Sequence, residues 1–247
     1  MQRGRIVVAM AIVAAVLFVN LFLGRTPAVV TVTDDKNQIF LQDKAIYQEA
    51  ATRILQKSLL NGNKLTINTV GIQQEMRTAF PELADVRVSV PFAGNKVQVY
   101  IEPAMPALLL TTGPQVFVLD NAGRAVMTAA QATNIEKAKL PVVNDESSLA
   151  IEAGKPALPS TNVAFITEVV AQLRAKGIEI SSLTLPAGIS ELDMRITGEN
   201  YFVKFNLLGD AREEAGTYLA VKGQLERDKK KSTAYIDVRV EERAYYK

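Results

Sequence analysis

The residues with the clearest capacity for specific binding lie near the end of the sequence, where apolar and polar side chains alternate. Ile236, Val238 and Val240 would face a core if this stretch is an extended strand. The other face would then carry a charged ladder between tyrosines: Tyr235, Asp237, Arg239, Glu241, Arg243 and Tyr245. Tyrosine and arginine dominate the energetics of protein interfaces. This ladder is therefore the predicted partner-binding surface.

Residue types for catalysis are scarce, because the chain has no histidine and no cysteine. It lacks the commonest general base, the commonest zinc ligand and any thiolate nucleophile. The sequence contains neither a Ser-x-x-Lys motif nor a Gly-x-x-x-x-Gly-Lys phosphate loop. No catalytic, cofactor-binding or metal-binding residue is predicted, although a dispersed Ser-Lys pair stays open.

Three charged clusters could suggest ion or phosphate binding. Asp34-Asp35 and Glu241-Glu242 are adjacent carboxylates, but neighbours on a strand point to opposite faces, and no third oxygen ligand follows at a calcium spacing. The run 229–231 is three lysines close to acidic residues. We interpret all three clusters as solvated surface, the lysines at the end of a helix whose dipole they complement.

A long apolar run lies near the start of the sequence. Ile6 to Leu23 is eighteen residues without a charge, about 27 Å as a helix and close to the thickness of a bilayer core. We predict a cytoplasmic tail at 1–5 and a transmembrane helix at 6–24. Arg3 and Arg5 precede the run and only Arg25 follows it closely, which favours a cytoplasmic N-terminus. A cleavable signal peptide is the alternative.

The charge of the remaining chain is close to balanced. With the three arginines that flank the apolar run set aside, 25 of the 28 basic residues remain against 26 acidic ones. Such a balance does not indicate the excess of basic residues that is typical of nucleic-acid-binding proteins. We expect no nucleic-acid partner and no small-molecule substrate, and the lipid bilayer as a partner through residues 6–24.

The segment 25–103 predicts a small α+β domain with the order strand, helix, helix, strand, strand. The strand is expected at Val29–Val32, and the first helix follows a cap at Asp43, with Ile46, Ala50 and Ile54 inward. The second helix should span Thr69–Ala79 before Pro81 stops it. Two strands of clean alternation then form a hairpin whose dry face carries these residues: Val86, Val88, Val90, Val97, Val99 and Ile101.

The segment 104–247 predicts a larger α+β domain on a mainly antiparallel sheet. Strands are expected at these positions: Leu108–Thr111, Val116–Leu119, Ile178–Leu183, Glu191–Ile196 and Tyr201–Leu207. One helix should bury Val163 to Leu173 and stop at Gly177, and another should begin at Asp210. The alternating stretch from Tyr235 to Tyr245 would close the domain as a strand.

Several short segments of the sequence resemble the FtsQ/DivIB family of bacterial division proteins, which carry a polypeptide-transport-associated (POTRA) domain outside a single membrane span. The similar segments are Phe80 to Val88, Tyr100 to Pro103 followed by Pro106-Ala107, Val118 to Gly123, Leu140-Pro141 and Tyr235-Ile236-Asp237-Val238-Arg239. The chain departs from the family at Pro103, where a basic residue is usual. The resemblance implies a POTRA-like fold for 25–103 and an FtsQ-type β domain for 104–247.

The resemblance also implies a function. It predicts a non-enzymatic, single-pass scaffold of the divisome in the bacterial cytoplasmic membrane, located at the mid-cell septum, that links division proteins controlling septal cell-wall synthesis. In that family the terminal strand region docks small bitopic coiled-coil proteins. Two alternatives remain: a bitopic component of a pilus or secretion platform, and a membrane-anchored Ser-Lys hydrolase.

Overall fold

The computed structural model describes residues 2–31, 39–147, 149–188, 190–241 and 243–247, with side chains from residue 6 onward. Asp34, Asp35 and Glu242 of the carboxylate pairs, and Val32 of the first predicted strand, lie outside the described residues. The chain divides into two compact units, Met1–Ala104 and Met105–Lys247. Both mix helices with strands, which confirms the predicted α+β class.

The first helix begins and ends four residues earlier than the sequence predicts. Helix α1 spans Gln2–Asn20 and ends there, rather than at residue 24. Leu23 is instead buried in the core of the first unit, and its backbone N–H donates to the carbonyl of Gly62 at 2.9 Å. Across the ranges given above, no helix combines the length and the apolar character needed to cross a membrane.

The first unit has the predicted order of elements after α1. These are β1 (Ala28–Thr31), α2 (Lys44–Gln56), a 3₁₀ turn (Leu59–Gly62), α3 (Thr69–Ala79), β2 (Leu83–Ser89) and β3 (Gln98–Pro103). Strand β3 lies between β1, to which it is parallel, and β2, to which it is antiparallel. Asn68 caps α3 by accepting a hydrogen bond from the N–H of Gly71, and Phe80 buries its ring just before Pro81.

The helices of this unit cover the apolar face of its sheet. Val86, Val99 and Ile101 are buried against the two helices, as expected of a hairpin that needs cover. The prediction for α2 was wrong by one residue at Ile46, which is exposed, whereas Tyr47 is fully buried. The buried face therefore follows the larger aromatic side chain, because its greater apolar area outweighs the spacing of the aliphatic residues.

The second unit is a nine-stranded mixed sheet across its described residues, with two long helices. The strands are β4 (Pro106–Thr112), β5 (Gln115–Asp120), β6 (Ala125–Thr128), β7 (Val142–Asp145), β8 (Ile180–Leu185), β9 (Glu191–Ile196), β10 (Phe202–Asn206), β11 (Tyr235–Asp237) and β12 (Tyr245–Tyr246). The helices are α4 (Ser160–Ala175) and α5 (Ala211–Arg227), and short 3₁₀ turns lie at Ala129–Gln131 and Ile135–Ala138. The strand order is β12-β11-β10-β9-β8-β7-β4-β5-β6.

Strand β7 was not predicted. It lies inside the sheet, parallel to β4 on one side and to β8 on the other. A third parallel pair joins β10 to β11, and the remaining pairs of this sheet are antiparallel. Helices α4 and α5 contact each other and bury their apolar residues in the same core, which includes Ile166, Leu173 and Tyr218.

The prediction of one long strand from Tyr235 to Tyr245 was wrong. Strand β11 leaves the sheet after Asp237, and the chain turns back so that β12 pairs antiparallel with it, Ile236 opposite Tyr246. Strand β11 therefore has a neighbour on each side, β10 and β12. Ile236 and Val238 are buried as predicted, but Val240 lies in the turn and is exposed.

Candidate functional site at the open edge of the large sheet

The two edges of the nine-stranded sheet are finished differently. At β6, a loop pairs with the edge. The carbonyl of Lys155 accepts a hydrogen bond from the N–H of Ala125, and the N–H of Gly154 donates one to the carbonyl of Ala125. At the other edge, β12 is the last strand of the order. Lys247 donates inward to the carbonyl of Tyr235 at 3.1 Å. Because main-chain groups alternate along a strand, the N–H and carbonyl of Tyr246 face outward.

Two rows of side chains cross the sheet next to this open edge. The strand register puts Asp193 of β9 beside Lys204 of β10, Lys204 beside Asp237 of β11, and Asp237 beside Tyr245 of β12. These residues lie on the face opposite the buried Leu192 and Met194. They form the charged row.

The second row is aromatic and cationic. The register aligns Arg195, Phe202 and Tyr235 on the same face of the sheet. The guanidinium carbon of Arg195 lies 5.5 Å from the centre of the Phe202 ring, and the rings of Phe202 and Tyr235 are 6.4 Å apart. Such distances are typical of cation–π and aromatic contacts. We call the two rows together the edge face.

An ion-pair network holds the strands below the open edge together. Glu191, at the start of β9, is only 3% exposed and accepts hydrogen bonds from both Lys204 and Arg239. Arg239 also donates two hydrogen bonds to Asp237, from Nε to Oδ1 at 2.8 Å and from Nη2 to Oδ2 at 2.6 Å. Arg239 thus links the segment after β11 to β9 across the sheet. A bidentate pair of this kind fixes geometry as well as charge.

The network shifts the pKa values of Asp237, Arg239 and Lys204. The hydrogen bond from Arg239 holds the pKa of Asp237 below its ordinary value, and Asp237 in turn raises the pKa of Arg239. Burial alone would lower the pKa of Lys204, but the hydrogen bond to Glu191 and the charge of Asp193 raise it. All three groups are therefore held in their charged forms.

Two carboxyl groups near the network, those of Asp193 and Glu214, have pKa values that are raised by burial. Burial, and then the neighbouring Glu191, raise the pKa of Asp193 to about 6. Its Oδ1 is buried without a hydrogen bond, with Lys204 Nζ in ionic contact at 3.5 Å. Burial likewise raises the pKa of Glu214 on α5 to about 7, although the N–H of Asn206 donates to its Oε2 at 2.8 Å. Deprotonation at either site adds negative charge beside the edge.

A groove of about 690 Å³ lies beside the network, between the start of α5 and the segment that follows β11. Its lining includes Asn206, Leu208, Asp210, Glu214, Val238, Arg239 and Val240. Asp210 caps α5 and accepts from the N–H groups of Arg212 and Glu213, so its carboxylate is already used. Within the described ranges, no three His, Cys, Asp or Glu side chains are grouped to hold a metal ion.

The six residues of the predicted ladder do not share one face. Asp237 and Arg239 belong to the ion-pair network, and Tyr235 is half-buried in the aromatic row. Glu241 and Arg243 are exposed on the turn, whereas Tyr245 on β12 lies beside Asp237 in the charged row. The ladder fails because the chain reverses direction after Asp237, which ends the alternation of faces.

Sequence reasoning missed several residues that complete this surface, namely Glu191, Asp193, Arg195, Phe202, Lys204 and Glu214. One signal was present for part of the set. Glu191, Asp193 and Arg195 alternate with apolar residues along a correctly predicted strand, which assigns them to the face away from the core. Their partners in β10 and β11 could not be identified, because the order of strands in the sheet was unknown.

Comparison with known proteins adds no relative to this description. No family model matches the chain, and no curated protein matches it either.

Proposed function

We propose that this protein is a single-pass membrane scaffold of the bacterial division machinery that captures partner proteins at the open edge of its second unit. The observation that carries the proposal is the outward-facing main chain of β12, flanked by half-exposed Tyr245 and Tyr246 and continuous with the edge face. An unpaired sheet edge supplies main-chain hydrogen bonds to an added strand, and neighbouring side chains supply specificity.

The anchor in this proposal is α1. Its large apolar side chains between Ile6 and Val19 are each 57–69% exposed, so they surround the helix instead of forming one buried stripe. A helix that is apolar on all sides is typical of a buried or membrane setting. The apolar part, 6–20 with Asn20 at its end, is about 22 Å long, and local thinning of the bilayer can accommodate a short span.

The division role rests on the resemblance to FtsQ/DivIB. Its terminal phrase, Tyr235 to Arg239, forms β11 and the start of the ion-pair network, next to the edge that we propose as the docking site. The first unit has the strand, helix, helix, strand, strand order that the POTRA-like proposal requires. The proposed partners are small bitopic coiled-coil proteins of the division machinery, which would add a strand to β12.

Two substitutions test the docking edge. Tyr246→Pro removes the outward N–H, and Arg243→Glu reverses an exposed charge beside it. We expect roughly tenfold weaker capture with Tyr246→Pro, the equivalent of one or two lost interface hydrogen bonds. The measurement is co-purification of division proteins with the full chain from detergent-solubilised membranes, with near-ultraviolet circular dichroism to verify folding.

Lys155→Glu at the covered edge is the matched control and should capture partners normally. Undiminished capture by folded Tyr246→Pro would refute the docking edge. A fluorescent fusion of the full chain tests the division role separately. Mid-cell signal in dividing cells is the expected result, and signal spread evenly over the envelope would contradict it.

A further inference from the structure

A group of large apolar side chains lies exposed on loops of the first unit. Phe92 is 99% exposed and Leu65 78%, values unusual for residues of this size in a folded unit. Phe22, Leu59 and Leu60 are exposed as well. We call these five residues the basal apolar group, because they lie on the loops around the base of α1.

Hydrogen bonds bring three loops together at that base. Lys64 is the central residue: its Nζ donates to Asn20 Oδ1 at 2.9 Å and to the carbonyl of Phe92 at 3.0 Å, and its N–H donates to the carbonyl of Leu21 at 2.8 Å. Gly24 donates to the carbonyl of Asn95. The loop after α1, the loop that contains Leu65 and the loop that contains Phe92 therefore meet where the helix ends.

Helix α1 projects away from these loops. From Ile6 to Val19 its side chains are exposed, and burial begins only at Asn20 and becomes complete at Leu23. The helix therefore does not lie along the unit, and the three loops meet at its root. If α1 spans a bilayer, this root is at the membrane surface, and the loops that bond to it are close to the same depth.

We propose that the basal apolar group, with Phe92 as its most exposed member, inserts into the interfacial layer of the lipid bilayer and seats the first unit directly on the membrane. This inference rests on the proposed anchor. The occupant is lipid because the group adjoins the apolar surface of α1: Phe22 packs edge-to-face on Phe18, with ring centres 5.3 Å apart.

The chemistry of the group fits the interface. Phenylalanine and leucine are the residues with which surface-bound segments enter the boundary between headgroups and acyl chains. Lys64 carries its charge at the same level, where lysine can lie along apolar surface and reach the headgroups. The apolar side chains are on three loops that meet at the end of one helix, so they can enter the same layer of lipid together.

The chain contains no tryptophan, so one introduced tryptophan reports on a single position. Three full-length variants are compared in vesicles of phosphatidylcholine carrying bromine at a shallow or a deep acyl position: Phe92→Trp, Val13→Trp in α1, and Thr78→Trp near the end of α3. Arg77, next to Thr78, bonds Asp85 early in β2, whereas the Phe92 loop follows the other end of that strand, about 13 Å farther on at Ser89.

We expect shallow bromine to quench Phe92→Trp strongly, deep bromine to quench Val13→Trp, and neither to quench Thr78→Trp. If Val13→Trp is quenched but Phe92→Trp is quenched no more than Thr78→Trp, the seating of the first unit on the membrane is refuted. The anchor would remain supported in that case. Absence of quenching at Val13→Trp would refute the anchor itself. Because Phe92 is exposed and outside helices and strands, the substitution does not disturb the core.

Discussion

The two edges of the large sheet solve the same physical problem in different ways. An unpaired strand edge invites association, and proteins cover it or charge it. At β6 the chain covers the edge with a loop that bonds directly to Ala125. At β12 the edge stays open, and an ion-pair network beneath it holds β9 and β11 in place. The loop at the covered edge uses the main-chain groups of β6, whereas at the open edge the main-chain groups of Tyr246 face outward.

The difference also separates the kinds of residue that matter. The covered edge depends on backbone conformation, since Gly123 adopts a φ of 79° and its carbonyl accepts from the N–H groups of Ala157 and Leu158. The open edge depends on charge, since Glu191 is buried with Lys204 and Arg239 as its cations. Substitutions should therefore damage the two edges by different mechanisms.

The largest effect is expected from Gly123→Ala at the covered edge. A Cβ at this position would lie 2.0 Å from the carbonyl oxygen of Leu158, and a positive φ adds strain for any side chain. We expect a loss of about 4 kcal/mol in the free energy of unfolding, from strain and overpacking together. Urea denaturation of the full chain in detergent, followed by circular dichroism, measures it.

Gly113→Ala is the matched control for that variant. Gly113 also has a positive φ, but a Cβ there would meet no atom within 4 Å. It should therefore lose only the conformational component, about 1 kcal/mol. Equal losses in the two variants would show that the loop moves aside freely and does not hold the edge.

Charge reversal at the open edge should have the next largest effect. Arg239→Glu would place a carboxylate beside Asp237 and the buried Glu191, leaving Lys204 as the cation near them. Because Arg239 is itself partly exposed, we reduce the usual cost of breaking a buried pair to about 2 kcal/mol. The same denaturation experiment measures the change.

Arg243→Glu is the control, because Arg243 is exposed on the turn and should change stability by less than about 0.5 kcal/mol. If Arg239→Glu behaves like Arg243→Glu, the network does not support the open edge. The comparison also explains why Arg239 is a poor test of partner capture, since its loss would disturb β11 as well as any docking surface.

The smallest effect should appear as a dependence on pH. The pKa of Glu214 is about 7 in the folded state against an ordinary 4.5, so the folded protein holds this proton more tightly. The contribution of Glu214 to stability should then be greatest below about pH 4.5 and fall as pH rises toward 7. Asp237 and Asp210 face Glu214 and oppose its ionisation, and Arg239 favours it.

Glu214→Gln removes this titration and keeps an oxygen to accept from Asn206. We expect the loss of stability between pH 5 and pH 8 to shrink by about 1 kcal/mol in the variant. Asp193, with a pKa of about 6, contributes in the same direction, so Asp193→Asn should reduce the loss further. An unchanged loss in the double variant would mean that the charges at the open edge are compensated.

Regular amphipathic elements were predictable because their pattern is local. Helix α3 has its predicted bounds, and so does β9, since caps, prolines and period-two alternation lie within a few residues of each other. The buried residues of α4 follow for the same reason. Strand β7 escaped notice because it is four residues long and only Val143 within it is buried.

The candidate site was predictable only in part, because its interactions are distant in sequence. Glu191 and Arg239 are 48 residues apart, and no local pattern pairs them. The reversal between β11 and β12 was also hidden, since residues 238–244 contain no glycine, proline or asparagine to mark a turn. Alternation continued through the turn by coincidence and suggested one strand where there are two.

The short join between α1 and the first unit has a mechanical consequence. Only Leu21 and Phe22 separate the last helical residue from Leu23, which is fixed in the core, so there is no free linker to absorb rotation. A turn of α1 about its own axis carries the first unit through the same angle. In the proposed membrane setting, any contact that fixes the rotation of α1 would therefore also fix the direction in which the first unit faces.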